Sequence, residues 1–178
     1  MKVKVDLKPI KMSISRFVCI GGILTAIAVL LQSAPVFLPA IGLALSPLST
    51  MPIAIAAILN ISLGFIVFFS SALILAIINV QETLILLFTT GLLGILMGTL
   101  VYRKGIFVSI LLSSIALTLG MIFLTYIVGI PAFVDFTRSL SIPLIHLIFC
   151  SFSFVYASIW YICLRKFINY LIKIKLIS

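Results

Sequence analysis

Apolar residues in this chain come in five runs, at about 17–38, 42–80, 84–102, 105–132 and 141–164, separated by short polar or charged breaks. Roughly 20 helical residues cross a hydrocarbon core of about 30 Å, so the run at 42–80 is too long for one span. Within it, Asn60-Ile61-Ser62-Leu63-Gly64 offers a polar pair and a glycine at which the chain can turn. Dividing the run there predicts six spans, at about 17–36, 44–60, 63–80, 84–102, 106–130 and 142–165. The expected architecture is an all-α membrane protein, a six-transmembrane-helix bundle forming a single integral membrane domain over residues 1–178.

Composition supports this pattern. Of 178 residues, 64% are hydrophobic and 8% charged, whereas soluble domains carry about 25% charged residues. No polar stretch approaches the roughly 50 residues that a separate soluble domain needs. The first run follows a basic leader, as in a signal peptide, but exceeds the ~7–15 residues of a signal-peptide core and has no clean A-x-A-like site. It is expected to remain as a span.

Charge sets the orientation. Eleven of the twelve basic residues fall in three clusters: Lys2, Lys4, Lys8, Lys11 and Arg16; Arg103 and Lys104; Arg165, Lys166, Lys173 and Lys175. With six spans, all three clusters lie on the same side, which the positive-inside bias assigns to the cytoplasm. Glu82, Asp135 and Arg138 then lie outside, and both the N- and C-termini are cytoplasmic. Five spans would break this agreement. Residues 166–178 read as an amphipathic tail on the inner surface, in contact with membrane lipid. The net charge of +9 therefore has a membrane explanation, and no nucleic-acid partner is expected. The localisation implied is a multi-pass protein of the cell membrane, in the prokaryotic plasma membrane.

Motifs for several chemistries are missing. The chain has no G-x-x-x-x-G-K-[ST], H-E-x-x-H or G-x-S-x-G, and only three acidic residues. Cys19, Cys150 and Cys163 lie in apolar runs without a CxxC pair and read as small buried residues. No catalytic residue, metal site or cofactor is expected, and the chain is not read as an enzyme. Trp160 and Tyr161 are expected at the inner interface, as part of an aromatic belt.

The informative polarity lies near the outer ends of the spans. Gln32 and His146 are candidate ligand groups, because a polar side chain at membrane depth is costly unless it faces the bundle interior. Asn79, Glu82, Tyr126, Asp135 and Arg138 cluster at the same ends, flanked by Ser46, Ser49, Thr50, Thr89 and Thr90. In one bundle these groups would converge on an outer mouth. Small residues give a second signal. Gly94 and Gly98 form GxxxG, with Gly91 on the same side, and predict close helix packing. The first span carries two smooth stripes, Ser15/Cys19/Gly22/Ala26 and Gly21/Thr25/Ala28/Gln32. One of these suffices for internal packing, which leaves the other for a partner.

With these residues in place, the chain resembles the substrate-binding S components of energy-coupling factor (ECF) transporters. The resemblance rests on Gly22-Ile-Leu-Thr-Ala26 with Ala28-Val-Leu-Leu, Leu48-Ser-Thr-Met-Pro52-Ile-Ala-Ile-Ala-Ala57, Asn60-Ile-Ser-Leu-Gly64, and Thr90-Gly-Leu-Leu-Gly94-Ile-Leu-Met-Gly98. It implies a six-span subunit that binds a small water-soluble nutrient, a vitamin or precursor, near the outer face. Its implied partners are that small-molecule substrate, a transmembrane coupling subunit and two ATPase subunits. Gly22 and Ala26 match the family's AxxxA docking motif, with Gly replacing the first Ala. The turn after the second span lacks the Gly-Pro often found there. The alternative expectation is a non-transporting multi-span scaffold, such as a rod-shape cell-wall assembly protein.

The charge argument is checked by single cysteines in a cysteine-free background. Gln81→Cys should react with an impermeant maleimide in intact cells, and Lys104→Cys only after permeabilisation.

Overall fold

The computed structural model describes residues 12–101, 105–130 and 141–173, with side chains described to residue 170. Six helices long and apolar enough to cross a membrane make up nearly all of it: α1 (Ile14–Phe37), α2 (Pro39–Leu59), α3 (Ile61–Ile78), α4 (Val80–Leu100), α5 (Ile106–Val128) and α6 (Ile142–Lys173). The described residues contain no strand. Ile77, Leu73, Phe107 and Leu147 are among many large apolar side chains left uncovered by protein, as expected of helices solvated by lipid. This is a multi-pass membrane architecture.

The turns follow from local chemistry. Asn60 ends α2 in an extended conformation, and its side chain accepts a hydrogen bond from the Ser62 backbone N–H at 2.9 Å, capping α3. The break expected within 42–80 is therefore present at Asn60. Leu38 separates α1 from α2, and Pro39, which lacks an N–H, occupies the first turn of α2, where none is needed. Gly42 then packs against the backbone of Ala34 and Pro35, where a side chain would collide. Inside α2, Pro47 falls in a 3₁₀ segment at Ser46–Ser49 that tightens the helix.

The small residues set the packing. A Cβ on Gly94 would lie 2.9 Å from the Thr50 carbonyl, and one on Gly98 would lie 2.5 Å from the Ala54 carbonyl and 2.7 Å from Ala57 Cβ. The GxxxG motif thus brings α4 against the backbone of α2. Gly120 of α5 meets the Phe88 carbonyl of α4 in the same way. On α1, Gly21, Thr25, Ala28 and Gln32 are buried, whereas Ser15, Cys19, Gly22 and Ala26 are exposed. The two stripes thus divide between the bundle interior and the outer surface.

Ala28, Ile53, Leu63, Val67, Leu75 and Leu86 form a core among α1, α2, α3 and α4. A second core joins Ala54, Leu93 and Met97 to Ala157, Trp160, Tyr161 and Leu164 of α6. Trp160 and Tyr161 are therefore buried packing residues rather than an interfacial belt, because the small Ala54 and Ala157 leave room for their rings. Cys19, Cys150 and Cys163 are free thiols as expected, but all three are exposed on outward helix faces rather than buried. The last helix runs unbroken to Lys173, so the segment expected as a separate tail begins as an extension of α6.

These contacts predict opposite outcomes at two glycines. Gly98→Leu forces apart the α2–α4 contact and should lower stability by at least the 1–3 kcal/mol typical of overpacking. Gly22→Leu, whose added side chain meets nothing within 4 Å, should change stability by about 0.5 kcal/mol or less. Reversible unfolding in mixed micelles measures both.

Candidate functional site

The site is built from the first turn of α4. Asn79 ends α3 in an extended conformation, and its side-chain oxygen accepts from the backbone N–H groups of Gln81 at 2.8 Å and Glu82 at 3.2 Å. This cap starts α4 and places Glu82 in the first turn, where the helix dipole favours a negative charge. Glu82 faces inward and is only 8% exposed.

Gln32, five residues before the end of α1, meets it there. Its Nε2 donates to Glu82 Oε2 at 2.9 Å. Its Oε1 accepts from the Ser49 hydroxyl at 2.7 Å and from the Thr90 hydroxyl at 2.9 Å. Because a carboxylate only accepts, Glu82 requires the amide nitrogen on its side, and the two hydroxyls satisfy the oxygen. A fully buried side chain on α1 is thereby tied to one residue of α2 and two of α4.

Two irregular segments make this convergence possible. Eight residues of ideal helix rotate through about 800°, which would set Thr90 about 80° away from Glu82. The π-helical turn at Leu86–Thr90 absorbs about one residue and returns Thr90 to nearly the same face. The 3₁₀ segment ending at Ser49 likewise aims that hydroxyl at Gln32, while Thr50, the next residue, is buried with its hydroxyl unpaired.

The remaining expected site residues do not join this cluster. Tyr126 and His146 are exposed and stack on each other, with ring centroids 6.0 Å apart and planes 16° apart. The His146 Nδ1–H donates to the Ile142 carbonyl at 2.8 Å. Among the described residues no hydrogen bond or ring contact links them to Gln32 or Glu82. The cause lies in the packing: α1 lies on α2 and α3, whereas α5 packs on α4 and α6. Asn79 acts through the α4 cap. Asp135 and Arg138 lie outside the described residues. Gly22 and Ala26 are on the exposed face of α1.

Sequence reasoning noted Ser49 and Thr90 only as flanking polarity, although both are direct partners of Gln32. No signal marked Tyr156, whose hydroxyl is enclosed near Thr50 and Trp160. No family model, curated protein sequence or solved structure matches the chain.

The arrangement can hold a polar group at the end of the bundle that charge placement assigns to the outside. Its strength is measurable. Gln32→Ala strands Glu82, Ser49 and Thr90 and should destabilise the protein by about 1–3 kcal/mol. A double-mutant cycle with Glu82→Ala should return a coupling of about 0.6–1.7 kcal/mol, the range for hydrogen bonds between membrane helices.

Proposed function

We propose that the protein is a membrane-embedded substrate-capture subunit that takes up a small water-soluble nutrient, a vitamin or precursor, at its outer face. The observation that carries this reading is the Gln32–Glu82 pair. It is an ionisable side chain and an amide buried together between spans, where the other buried polar side chains among the described residues are serine and threonine hydroxyls. Gln32 and Glu82 are the proposed contact residues, positioned by Ser49, Thr90 and the Asn79 cap.

The proposal extends to energy coupling. The sequence has no P-loop, so a capture subunit of this kind depends on partners for ATP hydrolysis, as ECF-type importers do. The exposed face at Gly22 and Ala26 is the proposed contact with a transmembrane coupling subunit that is joined to two ATPases. The proposed setting is the prokaryotic plasma membrane.

One observation favours a scaffold instead. The Gln32 oxygen already has two donors and its nitrogen an acceptor, as in a polar clasp that only holds helices together. The two readings differ in ligand response. Thermal unfolding of the purified protein against a panel of vitamins and precursors should identify a stabilising compound, worth ~2.7 kcal/mol at 100 times its dissociation constant. Failure of every compound would support the scaffold. Gly22→Leu or Ala26→Leu should impair uptake or assembly while leaving ligand binding by the isolated protein intact; equal loss of both would remove the docking role.

A further inference from the structure

The hydrogen-bonding capacity left over at Glu82 narrows the chemistry of the solute, on the assumption that the capture reading holds. Glu82 Oε2 accepts from Gln32. Its other oxygen has no hydrogen-bond partner among the described residues, and it is not among the buried atoms sealed without one. No described Lys, Arg or His pairs with the carboxylate. The strongest acceptor at this end of the bundle is thus held in place, partly open and, among the described residues, without a cationic partner.

Among the described residues no neighbouring side chain other than Gln32 donates to the carboxylate. The Ser49 and Thr90 hydroxyl protons are committed to Gln32 Oε1, and the Asn79 side chain accepts from the α4 backbone. An anionic solute would meet a carboxylate with no cationic partner among the described residues, and like charges at low dielectric repel strongly. A solute bearing N⁺–H groups supplies both a countercharge and a charge-assisted hydrogen bond, the stronger kind. The fixed amide of Gln32 holds the carboxylate in orientation for it.

We infer that the solute captured at the Gln32–Glu82 pair carries a protonated amine or comparable N–H cation, bound by the open oxygen of Glu82. The amine can belong to a free nutrient or to an aminophospholipid headgroup, and lipid composition separates these sources.

The test uses the full chain in nanodiscs of phosphatidylglycerol alone. Thermal unfolding is followed against vitamins and precursors sorted into N–H cations, neutral compounds and anions, each cation paired with its N-acetylated analogue. At least one cation should stabilise the protein, with affinity falling tenfold or more on N-acetylation. Glu82→Gln should abolish the response, and Glu82→Asp, which keeps the charge, should restore part of it.

If neutral or anionic compounds stabilise the protein and cations do not, this inference fails while the capture reading stands. A cation response that survives Glu82→Gln also overturns it. If no free compound acts, but phosphatidylethanolamine in the disc stabilises wild type and not Glu82→Gln, the amine is a lipid headgroup and nutrient capture fails. No response in any arm refutes both. Should Glu82→Gln fold poorly, the N-acetylation comparison on wild type decides alone.

Discussion

A polar side chain inside a membrane protein must find its partners within the protein, because lipid offers none. Gln32 meets that constraint with three hydrogen bonds, and the local irregularities at that end of the bundle are arranged around them. Ser49 reaches it because Pro47 tightens α2 into a 3₁₀ segment, and Thr90 reaches it because α4 carries a π-turn. Glu82 reaches it because Asn79 starts α4 one turn earlier. These three local features serve the same amide, whereas the π-turn at Leu124–Val128 of α5 makes no hydrogen bond to it.

The close approach of the helices has a different origin. Glycine and alanine on α4 and α2 remove the side chains that would keep the backbones apart, so van der Waals packing can hold them without a hydrophobic drive. Polar contact fixes which residues face each other, and small residues fix how near they come. On α1 the two devices share one stripe, Gly21/Thr25/Ala28/Gln32, and the adjacent small stripe is left uncovered.

Much of this was legible in the sequence. Run length and charge placement yielded six spans, and the break fell at Asn60, within the polar pair and glycine expected to turn the chain. GxxxG predicted a glycine-mediated contact, and the cost of burying an amide singled out Gln32. The pairing of Gln32 with Glu82 was not legible, because it depends on the rotational phase of α4, and the π-turn that resets this phase has no side-chain signature. Tyr126 and His146 lie near span ends as Gln32 does, but they are exposed where Gln32 is buried, and linear position alone does not separate the two. Trp160 and Tyr161 were misplaced for a related reason. Aromatic residues near a span end suit an interface, but here Ala54 and Ala157 open a packing space for them.

Chemical reactivity distinguishes an open, binding Glu82 from one sealed as a structural group. Intact cells expressing the protein would be treated with a water-soluble carbodiimide and a labelled amine nucleophile, and modification at Glu82 read by peptide mass spectrometry. The account predicts that Glu82 is modified from the outside and that a stabilising solute slows this reaction. A Glu82 that stays unmodified in intact cells, yet reacts once the protein is unfolded, would contradict it and leave Gln32 and Glu82 as a structural clasp.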